Sequence, residues 1–183
     1  MLIYLPLFIL GAIVMWLFMA YNRLIMLQQR VKNAWSQIDV QLKRRHDLIP
    51  NLVEVVKGYM AYERQTLENV IIARTQAAGA SAIKEKQVAE NFLTSALRSL
   101  FALVENYPDL KANQNMLKLQ EELATTENRI SFARQYYNDE VMFYNTAIQS
   151  IPVNLIANMG SFKKVDFFEI EDPIHRELPQ VKI

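Results

Sequence analysis

The chain has 183 residues, with 20 Lys and Arg against 19 Asp and Glu, and a net charge of +1 gives no basic footprint for nucleic acid. It contains no cysteine, which excludes disulfides, thiol catalysis and cysteine-ligated metals. Hydrophobic residues make up 51% while Gly and Pro number only 4 and 6, a low-turn composition that favours helix.

No charged side chain occurs from Met1 to Asn22. About twenty apolar residues rising ~1.5 Å each span a ~30 Å hydrocarbon core, and a helix satisfies its own backbone polar groups there. Tyr4 near one end and Trp16 and Tyr21 near the other set amphipathic rings at headgroup level. Arg23 then opens a basic stretch in which Arg23, Arg30, Lys32, Lys43, Arg44 and Arg45 face Asp39 alone before His46. By the positive-inside rule the N-terminus crosses the bilayer and the remainder stays in the cytoplasm. A signal peptide would need a basic n-region and a small-residue cleavage site. Met1-Leu2-Ile3-Tyr4 has no charge, and Phe18-Met19-Ala20-Tyr21-Asn22 is no A-x-A pattern. Residues 1–22 are therefore expected to be an uncleaved anchor, with a buried soluble helix as the rival reading.

After the anchor, Leu24, Leu27, Val31, Ala34, Ile38 and Leu42 recur at three, four or seven residues, with Trp35 beside them. This predicts a helix continuing out of the bilayer to Arg44-Arg45-His46. Asp47 is then a helix cap and Pro50 falls in the next first turn; a Pro50 kink in one continuous helix is the alternative. The second helix is expected from Leu48 to Ala78 on a stripe of Leu48, Leu52, Val55, Tyr59, Tyr62, Val70, Ala73 and Ala77, with Ile49, Val53, Val56 and Met60 beside it. Gly79-Ala80-Ser81 punctuates the chain, with Ser81 as the next cap. A third helix runs to about Glu105 on a stripe of Leu93, Ala96, Leu97, Leu100 and Val104. Asn106-Tyr107-Pro108-Asp109 reads as a turn. The fourth helix carries the clearest seam, Met116, Leu119, Leu123, Thr126, Ile130, Ala133, Tyr137, Val141, Tyr144 and Ile148, before Pro152 ends or bends it.

The expected fold is all-α, a transmembrane helix continuing into an antiparallel up-and-down four-helix bundle. Its parts are an anchor at 1–22, a cytoplasmic bundle at 23–157 and an extended tail at 158–183. In the tail, Phe162, Val165, Phe167, Phe168 and Ile170 supply apolar groups for packing on the bundle, with docking on membrane or partner second.

The stretch Ala34-Trp35-Ser36-Gln37-Ile38-Asp39-Val40-Gln41-Leu42-Lys43-Arg44-Arg45-His46-Asp47-Leu48-Ile49-Pro50-Asn51-Leu52-Val53-Glu54 closely resembles the signature of the bacterial LemA family. Tyr107-Pro108-Asp109-Leu110-Lys111-Ala112-Asn113, Ala133-Arg134-Gln135-Tyr136-Tyr137-Asn138-Asp139 and Pro152-Val153-Asn154-Leu155-Ile156-Ala157 resemble further blocks of it. The chain departs from the family at Tyr62, where His is common, at Gln135, and at Asn158-Met159-Gly160. The resemblance implies one N-terminal anchor, a short outer N-terminus, a cytoplasmic helical body and no established enzymatic activity. A relative occurs among magnetosome proteins, which implies membrane organisation.

The inventory carries little chemistry. His46 and His175 lie far apart in sequence, no Glu-x-x-His pair suits a di-iron bundle, and neither phosphate-binding glycine motif is present. No cofactor, metal or catalytic residue is assigned. Lys43, Arg44, Arg45, Asp47, Asn51 and Glu54 form a candidate partner or anion surface, with solvated charge and capping as the simpler reading. Asn138 and Asn145, each following a seam tyrosine, are candidate register-setting amides. Lys163-Lys164 beside Phe162 and Phe167 is a weaker lipid-contact candidate.

The reading is a non-catalytic scaffold or adaptor, single-pass in the bacterial cytoplasmic (inner) membrane, whose partners are the lipid bilayer, further copies of itself and an unidentified membrane protein. The alternative is a regulatory subunit of a membrane protease or transporter, with an enzyme third.

Overall fold

The computed structural model describes residues 4–60 and 62–169, and every regular element among them is a helix. They are α1 (Tyr4–Lys57), α2 (Arg64–Gly79), α3 (Ile83–Val104), α4 (Pro108–Lys111), α5 (Gln114–Gln149) and α6 (Val153–Met159).

The expected break near His46 does not occur, because α1 runs through Pro50. A proline has no N–H, so the carbonyl four residues earlier loses its helical donor. That carbonyl belongs to His46, and Arg74 Nε of α2 donates to it at 3.3 Å. Asp47 is thus an exposed mid-helix residue and not a cap. The chain turns instead after Lys57, where the N–H groups of Tyr59 and Met60 both donate to Val56 O at 3.0 Å. The core register moves with the turn: Ile49, Leu52, Val56 and Met60 are buried, while Tyr59 is exposed and Tyr62 is 98% exposed.

Two compact units divide the described residues, 4–39 with 131–167 and 40–130 with 168–169, so α1 and α5 contribute to both. In the unit holding residues 40–130, one core joins four helical segments. Leu52 and Val56 come from α1, Val70 and Ala73 from α2, Leu93 and Leu100 from α3, and Met116 and Leu123 from α5. Helices α2 and α3, separated only by residues 80–82, pack on each other. The cap of α3 is Ala82, not the expected Ser81; the Glu85 carboxylate accepts the Ala82 N–H at 3.4 Å. Asn113 starts α5: its Oδ1 accepts the N–H groups of Asn115 and Met116 at 2.9 and 3.2 Å, as an N-cap side chain does. Its Nδ2 donates to Tyr59 Oη at 3.0 Å.

In the other unit α1 buries Ala20 and then Leu24, Leu27, Val31, Ala34 and Ile38 of the stripe read from sequence, and α5 buries Tyr137, Val141, Tyr144 and Ile148. Trp35 meets Tyr137 with ring centroids 5.3 Å apart. Helix α6 buries Ile156 and Ala157 and extends through Met159, past the expected tail start at Asn158. Phe162 then folds back, its N–H donating to Ala157 O at 2.9 Å and its ring lying 5.7 Å from that of Tyr21. A Cβ on Gly160 would stand 2.6 Å from the Phe162 ring, so the bend needs glycine there. The expected tail beyond Glu169 lies outside the described residues.

Residues 4–19 are exposed without interruption, on a helix long and apolar enough to cross a membrane. The rival buried helix would have these side chains covered by protein.

The Pro50 arrangement is testable. Arg74→Ala is expected to cost about 1–3 kcal/mol in the parent chain, the range for a hydrogen bond from a charged donor. In a Pro50→Ala background, where a restored N–H serves His46 O, the same change should cost much less. Denaturant unfolding of the four chains of this double-mutant cycle measures the coupling.

Candidate functional site

Charge is buried at one place in the unit of residues 40–130. Arg45 and His46 project from α1 and Glu90 from α3, and all three are buried. His46 Nε2 lies 2.7 Å from Glu90 Oε1, which the neutral tautomer protonated at that nitrogen and the imidazolium can both supply with a proton. Arg45 Nη2 donates to Thr94 Oγ1 at 2.8 Å. Its Nη1 stands 3.1 Å from Glu127 Oε2 of α5 and 3.6 Å from Glu90 Oε2. Arg45 therefore links three helices, with Glu90 fully buried and Glu127 half-exposed.

Adjacent residues on a helix differ by ~100° in direction, so Arg45 and His46 reach neighbouring sectors of the core from one turn. Glu90 occupies the stripe of α3, three residues before Leu93 and seven before Leu97, where an apolar residue is the default. A buried carboxylate at a seam position needs compensation: His46 meets Oε1 at hydrogen-bond distance, and Arg45 faces Oε2 as an ion pair at 3.6 Å without a hydrogen bond to that oxygen. That placement was the available sequence signal, a charge in the apolar rhythm, and sequence reasoning missed it.

The cluster contains a His–carboxylate pair, the orienting half of a nucleophilic triad. Thr94 Oγ1 accepts a hydrogen bond from Arg45 Nη2. The cluster's clearest action is to fasten α1 to α3 and α5.

The six residues expected to form a surface separate accordingly. Arg45 turns inward, whereas Lys43, Arg44, Asp47, Asn51 and Glu54 are exposed. Tyr4, Trp16, Tyr21 and Arg23 are exposed on α1, with Tyr21 also in edge contact with Phe162. Asn138 and Asn145 are half-buried on α5. Asn145 does not set register through another amide: its Nδ2 donates to Val165 O at 2.8 Å and its Oδ1 accepts Val165 N–H at 3.0 Å.

Two tyrosines complete that attachment. Tyr137 Oη donates to Asp166 O at 2.9 Å and Tyr144 Oη to Lys163 O at 3.0 Å. Seven helical residues rise ~10 Å, and three residues of extended chain cover about the same distance, so both anchors fit one strap running opposite to α5. Burial, and secondarily the Asp166 carboxylate, push the Tyr137 hydroxyl up to about 12. Burial raises Tyr144 as well. Both effects hold the phenols in the neutral, donating form.

Among the described residues no group of three His, Asp or Glu side chains is placed to hold a metal.

The family model of the LemA family matches residues 34–183. Magnetosome protein MamQ 2 of Paramagnetospirillum magneticum is 26% identical over 179 residues, covering 84% of this chain and 66% of the relative. Magnetosome protein MamQ of Magnetospirillum gryphiswaldense is 26% identical over 178 residues, covering 83% and 65%. Protein LemA of Metamycoplasma hominis is 26% identical over 152 residues, covering 82% and 69%. The chain thus spans just under two thirds of the length of the magnetosome relatives.

Two outcomes follow from these contacts. Arg45→Ala leaves the buried Glu90 carboxylate with His46 alone and is expected to destabilise by about 3–5 kcal/mol, whereas replacing Arg45, His46 and Glu90 together by Met, Leu and Leu should be close to neutral. Denaturant titration of both variants checks this. For Tyr137 the folded value lies above the unfolded value near 10, so its contribution is complete below about pH 10 and fades as pH rises through about 12. Tyr137→Phe should cost about 1 kcal/mol at neutral pH and remove part of the alkaline stability loss, read by unfolding against pH.

Proposed function

The chain belongs to the LemA family, and on that premise we propose a non-catalytic, membrane-anchored helical scaffold or adaptor that self-assembles at the bacterial cytoplasmic membrane. The observation that carries this reading is the uncovered apolar run of α1, residues 4–19, on the same helix that supplies core residues Leu52 and Val56. Lipid is the solvent that suits such a run, and the basic residues from Arg23 onward support a cytoplasmic position for the helical body by the positive-inside rule. An antiparallel up-and-down bundle fits the four segments sharing one core. Relatives named magnetosome proteins agree with work at a membrane.

Self-assembly is supported by α5. Phe132, Tyr136 and Phe143 fall within ~40° of one another at 100° per residue, and all three are exposed. A second copy offers the same aromatic face, which suits a symmetric contact. Confinement to a thin layer at the bilayer raises the effective concentration, so a modest interface suffices. The mixed-charge surface of Lys43, Arg44, Asp47, Asn51 and Glu54 is left for a membrane-protein partner.

Nanodisc- or detergent-extracted protein is expected to sediment as an oligomer, and Phe132→Asp with Phe143→Asp should shift it to the monomer. A parent chain that stays monomeric at every concentration contradicts the scaffold. Crosslinking in native membranes to one stoichiometric foreign protein would favour a regulatory subunit instead.

A further inference from the structure

We propose that α6 and the two lysines that follow it form a second membrane contact, lying on the anionic surface of the leaflet from which α1 emerges. The inference rests on the anchoring of α1 and adds a docked surface to it.

Two ring contacts fix the position of α6 within its unit. Trp35 of α1 meets Tyr137 of α5, and Tyr21 of α1 meets Phe162 just beyond α6. From Trp35 back to Tyr21 is fourteen helical residues, ~21 Å, and from Tyr137 forward to the end of α5 at Gln149 is twelve, ~18 Å. The end of α5 and α6 therefore reach the level of Tyr21, where the charge-free run leaves the protein. Packing on α1 begins there as well, since residues 4–19 are exposed and Ala20 is buried.

At that level the protein presents an apolar face that none of the described residues covers. On α6, Leu155 and Met159 stand four residues apart and are 63% and 88% exposed, Ile151 in the turn before the helix is 86% exposed, and Ile156 and Ala157 are buried. Exposed Lys163 and Lys164 follow within a few residues, and exposed Arg23 lies two residues beyond Tyr21 on α1. Apolar side chains at the acyl boundary beside cations at headgroup level are the composition of a surface-lying amphipathic segment. A second copy of the chain would meet the lysine pair with like charge; anionic lipid meets it with opposite charge. Position, apolar spacing and charge all select the bilayer as the occupant.

Because the chain has no cysteine, single labels can be placed without background. An environment-sensitive fluorophore is attached to Ile13→Cys, Leu155→Cys, Met159→Cys or Val40→Cys in the full chain, held in nanodiscs of phosphatidylglycerol and phosphatidylethanolamine. Labels at 13, 155 and 159 are expected to be quenched by lipid-borne quencher and the label at 40 by aqueous iodide. Lys163→Glu with Lys164→Glu should lower lipid quenching at 155 severalfold. Iodide quenching at 155 and 159 with the label at 13 still in lipid overturns the docking and leaves the anchor standing. Protection of 155 and 159 from both quenchers overturns it in favour of a protein cover. Iodide access at 13 means that the anchor itself has failed, and the inference falls with it.

Discussion

From Tyr4 to Met19 α1 exposes every side chain, and within one further turn it begins to bury them, at Ala20, Leu24 and Leu27. No hydrogen-bond pattern changes across that point, since the backbone is helical on both sides. What changes is the surface that the side chains meet. A helix in water buries a stripe and leaves the opposite face polar, whereas one in hydrocarbon is apolar all round. Helix α1 shows both regimes in sequence, and Arg23 begins the regime of water.

Toward its C-terminal end α1 is secured by polar groups. The proline that removes one backbone donor is answered by Arg74, and Arg45 and His46 are answered by Glu90. Each answer comes from a different helix, α2 or α3, so the defects of α1 become its attachments. Near the bilayer end the fastening is different: Tyr137, Tyr144 and Asn145 of α5 hold the backbone of residues 163–166. Side chains that bind backbone accept any sequence in the strap, leaving Lys163, Lys164 and Phe167 exposed.

Much of this was legible. The seams of α3 and α5 were read residue by residue from their three-four rhythm, because burial on one helix face is a local property. The Pro50 region was misread for the opposite reason. Whether a proline breaks a helix depends on who satisfies the orphaned carbonyl, and Arg74 sits 28 residues from His46 in sequence. Running the second helix from Leu48 through the actual turn put Tyr59 and Tyr62 at the centre of the expected core, with Ile49, Val56 and Met60, which are buried, only beside it. Glu90 was visible as a charge on a stripe, but its partners lie 44 residues or more away. Asn145 was read as a register-setting amide, whereas it bonds the Val165 backbone, a partner that leaves no trace in side-chain patterns.

The account stands or falls on the leading helix remaining attached and seated in lipid. Membranes washed at alkaline pH, followed by intact-mass measurement of the chain released only by detergent, test this directly. The account predicts a chain that retains the apolar run through Tyr21 and resists the wash. A chain that starts beyond Tyr21, or one that leaves the membrane without detergent, would contradict it.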